Sequence, residues 1–361
     1  MVARLFQSLL CVCVLSLSPA WAGPVSLDAK QVPALRDLVR QDPEAGGQYQ
    51  KLFRMANQAL NDTPNPVPQL VSEGKLQSNP EKVRTIAALK DMPKISALAW
   101  VWLVSQDERY ATKGSQYILA WAQSNRPDGD PINETTLEPL VVAYDVLRPK
   151  FTPQNRAFVD GWLHNRAVVL WNDPRHRTEN WQSHRLKMVG LIATVVHDDE
   201  LWKVVADGFQ EQMDRSFLPD GETTDFGQRD AMHYQLYGMQ PLLTLACVAQ
   251  QRNHDWYHYQ APSGASLKRA VGFVEPYALG EKTHVEFVHS KVKFDKARAQ
   301  AGEKEYMPHN WDTCEAGPTF VEAGCVDPNA AKVALQISCG ESEHKRFVDW
   351  ESVLNYVKRG S

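Results

Sequence analysis

The chain has no long hydrophobic run. The apolar stretch from Leu9 to Leu17 is too short to cross a membrane, and no later segment supplies the roughly 18 consecutive apolar residues that a span needs. This stretch follows one arginine and precedes small residues at Ala20 and Ala22, a pattern typical of a secretory signal peptide. We therefore predict that residues 1–22 are removed and that the mature protein is periplasmic or secreted, without a membrane partner.

Positive charge is also scarce. Lysine and arginine total 39 against 43 aspartate and glutamate, and the net charge of −4 argues against nucleic acid as a partner. A polyanionic ligand would require a local concentration of cations. One such cluster lies before and within a single predicted helix and comprises Arg175, His176, Arg177, His184, Arg185 and Lys187.

Cysteine is limited to six residues, and Cys11 and Cys13 lie in the predicted signal peptide. Export permits disulfides. We expect Cys314 to pair with Cys325, because both lie in a turn-rich tail, and Cys247 to be a small buried apolar residue. No spacing matches a metal-ligand signature, so we predict neither a metal nor a cofactor.

Helical periodicity dominates the chain between residues 81 and 275. Apolar residues recur at helical spacing, with expected breaks at Met92–Pro93 and around Asp107. A solenoid would show a repeat of fixed length, and none is visible. We therefore predict an all-α protein, an α/α toroid of antiparallel helical hairpins, as one domain over 23–361 with a loop-rich tail over 276–361.

The first candidate constellation is the stretch TENWQSHRLKM, residues 178–188. Asn180 and His184 are four residues apart and share a helix face, with Lys187 beside His184. An amide and an imidazole on one face can together bind a carboxylate. The alternative is a simple helix start, in which Asn180 caps the helix and His184 satisfies a nearby carbonyl.

A second constellation follows the turn PDGETT, in DFGQRDAMHYQLYGMQPL. It contains Arg229, His233, Tyr234 and Tyr237 at the start of another apolar helix. A structural alternative is that the two tyrosines pack in an amphipathic core with their hydroxyls at its edge.

Together, NWQSHR and PDGETTDFGQRDAMHYQLYGMQPLLTLA resemble the exported alginate lyases with the α/α toroid fold, over about residues 96–250. The resemblance implies that Asn180 and His184 neutralise the carboxylate of the substrate. It also implies that Tyr234, preceded by Arg229, transfers the proton. In the family the Asn and His are adjacent, whereas here His184 comes one helical turn after Asn180.

The resemblance further implies a polysaccharide lyase that cleaves a 4-linked polyuronate, mannuronate-rich alginate foremost, by β-elimination. We also expect a monomer. Arg229 would favour the tyrosinate form of Tyr234, which acts as base and then acid. One or two tryptophans should stack on sugars, and the candidates are Trp100, Trp102, Trp121, Trp162, Trp171 and Trp181. The expected substrate-binding residues are Trp181, Arg185, Lys187, His233, Tyr237 and His284.

Three alternatives remain open at this point. A glycoside hydrolase would use a carboxylate pair chosen from Asp220, Glu222, Asp225 and Asp230. A non-catalytic protein would bind an acidic glycan in the same groove. A lyase acting on glucuronan would meet the same carboxylate and the same acidic proton.

Overall fold

The computed structural model describes residues 25–337 and 345–360. Its α-helices span Gln31–Gln41 (α1), Pro43–Ala59 (α2), Pro80–Leu89 (α3), Asp91–Ser105 (α4), Glu108–Ser124 (α5), Pro131–Glu134 (α6), Glu138–Leu147 (α7), Pro153–Asn172 (α8), Glu179–Val195 (α9), Asp199–Ser216 (α10), Thr224–Arg229 (α11), Met232–Gln251 (α12), Leu267–Ala278 (α13), Lys293–Gln300 (α14), Gly317–Ala323 (α15), Pro328–Gln336 (α16) and Trp350–Lys358 (α17). Short 3₁₀ helices cover Thr135–Leu137, Arg148–Lys150, Lys304–Tyr306 and Thr313–Ala316. The strands Val285–Glu286 (β1) and His309–Asn310 (β2) pair antiparallel. The predicted signal peptide, 1–22, lies outside the described residues.

Several helices begin where the sequence places a capping side chain immediately before a proline. The Asp42 carboxylate accepts two backbone N–H groups at the start of α2, and Asn79 does the same for α3. Proline follows each cap, where its missing N–H costs nothing and its fixed φ suits a helix. Local sequence therefore determines where these helices start.

The helices form two rows. In the inner row α2, α4, α7, α9, α12 and α15 contact one another in that order, and α17 contacts both α15 and α2. The outer helices α5, α8 and α10 pack behind α4 and α9. The all-α prediction is confirmed.

Helix α9 is the central element of the inner row. Every residue from Gln182 to Val195 is buried. It approaches α12 closely at Gly190, where an added Cβ would lie 2.5 Å from a methyl group of Leu245. Glycine at this position brings the two helices that carry both candidate constellations together.

Three sequence expectations differ from the structure. Helices α1 and α2 precede the expected helical core at 81–275, and the break expected at Met92–Pro93 falls at Lys90, so Pro93 lies in the first turn of α4. The tail after residue 275 also contains helices α14 to α17. Within the described ranges, none of the helices has the length and hydrophobicity needed to cross a membrane.

The predicted pairing of Cys314 with Cys325 is wrong. Cys314 is disulfide-bonded, whereas Cys325 and Cys247 are free and buried. The reason is tertiary, because α15 packs on α12 and directs Cys325 towards Cys247. The prediction that Cys247 is buried is confirmed.

Candidate active site

Asn180 is buried in the first turn of α9. Its Nδ2 donates a hydrogen bond of 2.5 Å to Oδ1 of Asp225 in α11. Thr178, not Asn180, occupies the N-cap position, so the capping alternative for Asn180 does not apply. Glu179 adopts φ = 61°, and its carbonyl accepts a hydrogen bond from Gln212. A left-handed conformation is costly for a non-glycine residue and is commonly retained at functional sites.

The carboxyl group beside Asn180 is in an environment that disfavours its charge. Asp225 is 3% exposed, and burial raises its pKa to about 7, although the hydrogen bond from Asn180 acts in the opposite direction. Gly238 of α12 allows this close packing, because a Cβ there would lie 3.2 Å from Oδ2 of Asp225.

His184 lies one turn further along α9 and is 5% exposed. Its Nδ1 is 3.0 Å from the hydroxyl of Thr135, and its ring packs on the ring of Tyr237 with centroids 4.3 Å apart. Nε2 is buried and has no hydrogen-bond partner among the described residues. Burial, together with the charge of Lys187, lowers the pKa of His184 well below its ordinary value, so the imidazole is neutral.

The start of α12 is held by the hairpin that contains β1. The carboxylate of Glu286 accepts the backbone N–H groups of Met232 at 2.6 Å and His233 at 2.9 Å, which satisfies the helix N-terminus. Asp230, with φ = 51°, accepts the N–H of Phe287 at its carbonyl, 2.7 Å away. These bonds fix the turn that positions Tyr234.

Tyr234 projects from the first turn of α12 and is 6% exposed. The guanidinium of Arg229 lies over the ring face, 3.8 Å from the centroid, and forms an ion pair with Asp295. Arg298 Nη1 is 3.5 Å from the hydroxyl, and Tyr306 also hydrogen-bonds to it. Burial raises the pKa of Tyr234 above its ordinary value, against the lowering effects of the two arginines.

Arg229 acts on Tyr234 in the expected direction, because its positive charge lowers the pKa of the phenol. Burial outweighs the neighbouring cations, and the charge of Arg229 is shared with Asp295. Tyr234 rests as a neutral phenol, and the guanidinium that contacts its oxygen belongs to Arg298.

The two constellations meet through aromatic contacts. His184 packs on Tyr237, whose ring lies 6.1 Å from that of Tyr234 and 5.9 Å from that of His233. Helices α9 and α12 thus join a neutral imidazole to a phenol through the ring of Tyr237, and the amide of Asn180 lies one turn before the imidazole on α9.

The family model described as alginate lyase matches residues 35–284. The chain belongs to the alginate lyase family. It is 33% identical over 132 residues to a polysaccharide lyase of Stenotrophomonas maltophilia (strain K279a), a match that covers 34% of this chain and 38% of that relative. The matched region therefore spans well under half of the relative's length.

Solved structures confirm the α/α toroid fold. An alginate lyase from Bacteroides ovatus superposes with a TM-score of 0.70 at 16% identity, covering 92% of this chain and 98% of that one. Alginate lyase A1-III of Sphingomonas species A1, as a variant complexed with a tetrasaccharide, gives a TM-score of 0.56 at 22% identity, covering 72% and 78%. The protein is thus a member of a lyase family with the family's fold.

Arg185, expected to bind substrate, has a structural role instead. Its side chain is fully buried and donates to the backbone carbonyls of Leu170, Arg175 and His176 and to the side chain of Gln182. It therefore stabilises the loop before α9.

Two other expected substrate-binding residues already have protein partners. The ammonium of Lys187 is nearly buried and forms an ion pair with Glu138. His284 Nε2 lies 3.2 Å from the carbonyl of Asp230 and 3.5 Å from Glu286, so it supports the turn before α12. We assign both to the scaffold of the site.

The remaining expected residues are more accessible. His233 is about half exposed and lies 3.5 Å from Glu315, and Trp181 is half-buried against His176. Both remain candidates for substrate contact. Among the tryptophans considered as sugar platforms, three are core residues: Trp100, Trp102 and Trp121.

Arg298 and Tyr306 are the site residues that sequence reasoning missed. They come from α14 and the following 3₁₀ helix, in a tail expected to be mostly loops. No local pattern marks them, because their proximity to Tyr234 arises only when the tail folds back. In the part of the chain that the structure describes, no group of three or more His, Cys, Asp or Glu side chains could hold a metal ion.

Proposed function

We propose that this protein is a polysaccharide lyase that cleaves a 4-linked polyuronate, mannuronate-rich alginate foremost, by β-elimination. The observation that carries the proposal is the chain of ring contacts from His184 on α9 through Tyr237 to Tyr234 on α12, with Asn180 one turn before His184 on α9. Family membership supports the reaction type. The tetrasaccharide bound by the variant of alginate lyase A1-III supports a polymeric sugar as the substrate.

Elimination from a uronate must overcome the weak acidity of the proton on C5. The neighbouring carboxylate opposes the negative charge that develops when this proton leaves, so the enzyme must neutralise it with fixed donors. Asn180 and His184 are suited to this role. If the Thr135 hydroxyl donates to Nδ1 of His184, Nε2 carries the other ring proton and can donate it to the substrate carboxylate.

Asp225 acts as a positioning residue for Asn180. By accepting one N–H of the amide, it fixes which way the amide faces and leaves the second N–H for the substrate. Because burial raises its pKa to about 7, Asp225 carries only a partial negative charge near neutral pH. It therefore repels the negatively charged carboxylate of an incoming uronate less than an ionised carboxylate would.

Tyr234 is the proton carrier of the proposal. The phenol first releases its proton to solvent, and the resulting phenolate takes the C5 proton. The same oxygen then gives that proton to the departing O4, when both lie on one side of the sugar, which regenerates the phenolate. Arg298 contacts the hydroxyl and stabilises the anion during this exchange. Because Tyr306 and Arg298 cover the hydroxyl, substrate must displace part of this cover to reach it.

Product chemistry tests the proposal against a hydrolase and a binding protein. The purified protein is incubated with polymannuronate, polyguluronate, glucuronan and a neutral 4-linked glucan, and the masses of the products are measured by mass spectrometry. Elimination leaves a double bond at each new non-reducing end, so that fragment is one water lighter than the corresponding hydrolysis product and absorbs ultraviolet light. Products of hydrolytic mass would contradict the lyase, and binding without any product would favour the non-catalytic alternative.

A further inference from the structure

Among the residues that the structure describes, two free cysteines lie together near the end of α12 that is distant from Tyr234. Cys247 and Cys325 are each 4% exposed and both line a cavity of about 530 Å³, beside Lys358 and Arg359. Cys247 comes thirteen residues after Tyr234 on the same helix, which is about 20 Å along its axis. The pair is therefore separate from the candidate active site.

The thiols are in direct contact. A hydrogen bond joins the side chains of Cys247 and Cys325, and Cys247 Sγ also lies 3.5 Å from the carbonyl oxygen of Glu322. A disulfide would form if the two sulfur atoms moved from this hydrogen-bonding contact to about 2 Å apart.

The charges around the pair distinguish the two thiols. The hydrogen bond from Cys247 and the ammonium of Lys358 lower the pKa of Cys325, whereas burial raises the pKa of Cys247 well above its ordinary value. Glu322 and Glu351 also face this region, and burial raises the pKa of Glu322 to about 8. Cys325 is therefore the better nucleophile, because a thiolate attacks and a thiol does not.

We propose that Cys247 and Cys325 are a redox-active thiol pair, which a small disulfide compound entering through the cavity oxidises to an intramolecular disulfide. The thiolate of Cys325 attacks one sulfur of the compound and expels the other as a thiolate. Cys247 then loses its proton and attacks the sulfur of Cys325, which expels the second thiolate. In balance, two protein thiols and one disulfide give one protein disulfide and two small thiols.

The new bond would tie α12, which carries Tyr234, to the end of α15. It closes a long loop and so restricts the unfolded chain, which raises stability. The predicted export of the chain would place the pair in an oxidising compartment, where such bonds persist.

The whole protein is tested with oxidised glutathione. After treatment, free thiols are alkylated under denaturing conditions and the peptides are mapped by mass, and the melting temperature is recorded. We expect loss of both thiols, a peptide pair linked through Cys247 and Cys325, and a melting temperature higher by several degrees. A protein that is already linked when purified, and loses that stability on reduction, gives the same support.

Two variants separate the steps. Cys247→Ser should retain glutathione on Cys325 as a mixed disulfide, whereas Cys325→Ser should leave Cys247 as an unmodified thiol. The proposal is overturned if both wild-type thiols remain open to alkylation after oxidation. It is also overturned if each thiol carries its own glutathione, or if Cys325 is linked to Cys314 instead.

Discussion

The ring of His184 packs on the ring of Tyr237 with centroids 4.3 Å apart and planes tilted by 48°. This contact joins α9 to α12 at the level of the candidate site. It also buries the imidazole, which lowers the pKa of His184 and keeps the ring neutral. A neutral ring whose Nδ1 is engaged by Thr135 can offer Nε2 as a fixed donor.

Removing either proposed carboxylate donor should slow elimination strongly. We expect Asn180→Ala and His184→Ala each to lower kcat by about 100- to 1,000-fold, the cost typical of losing one preorganised donor. Initial rates of double-bond formation on polymannuronate measure this. The exposed His254, in the turn after α12, provides a matched control, because His254→Ala should leave the rate unchanged. Normal turnover in Asn180→Ala or His184→Ala would remove that residue from the carboxylate site.

Asp225 should make folding stability depend on pH. Its pKa is raised to about 7 in the folded protein from an ordinary 3.8. The unfolded chain therefore loses this proton at a lower pH than the folded protein does. As a result the free energy of unfolding falls as pH rises from about 4 to 7, by about 4 kcal/mol at most.

Asp225→Asn keeps an oxygen acceptor for Asn180 but removes the titration, so its unfolding free energy should lose this pH-dependent term. Urea unfolding at about pH 5 and about pH 8 compares the two proteins. The exposed Asp207→Asn serves as a control that should behave like the wild type. Equal pH dependence in Asp225→Asn and the wild type would show that Asp225 ionises normally.

Arg298 should set the pH at which activity begins to rise. Its cation lowers the pKa of Tyr234, so Arg298→Met should raise that pKa further and move the rise of kcat/KM to higher pH. Arg298→Lys retains the charge and should show a smaller shift. The measurement is kcat/KM against pH. A lower rate with an unshifted profile in Arg298→Met would mean that the arginine acts only through packing.

Arg185 should affect stability and not substrate affinity. Arg185→Met leaves three backbone carbonyls before α9 without their donor, which should cost about 3 kcal/mol of unfolding free energy. The exposed Arg215→Met on α10 is the matched control and should cost little. Thermal unfolding and KM for the polyuronate separate the two roles. If Arg185→Met kept the stability of the wild type but had a raised KM, Arg185 would have to be a substrate-binding residue.

The sequence predicts the parts of the site that depend on local spacing. Asn180 and His184 share a face because they are four residues apart, and Tyr234 follows a recognisable turn. Arg298 contacts Tyr234 across 64 positions of chain, which no periodicity reveals.

Burial explains where the structure departs from the expectations. Arg185 belongs to a cationic cluster that suggests a surface for an anion, yet its donors are used by the carbonyls of a folded loop. The pKa of Tyr234 depends on how deeply the ring is enclosed, and this is set by the tail that folds over it. Helical pattern and capping residues determine the toroid, whereas these tertiary contacts determine the electrostatics of its site.

The most direct test of the account is turnover by Tyr234→Phe, a change that removes one oxygen atom and keeps the ring. Double-bond formation on polymannuronate is followed by ultraviolet absorbance, and binding of the same polymer is measured by calorimetry. Tyr259→Phe, in the loop after α12, serves as the control, because Tyr259 is partly buried against Phe209 and lies outside the candidate site. We expect turnover to fall at least about 1,000-fold, within the range for loss of a proton carrier, while affinity stays close to that of the wild type. Nearly normal turnover in Tyr234→Phe would contradict the proposed elimination mechanism.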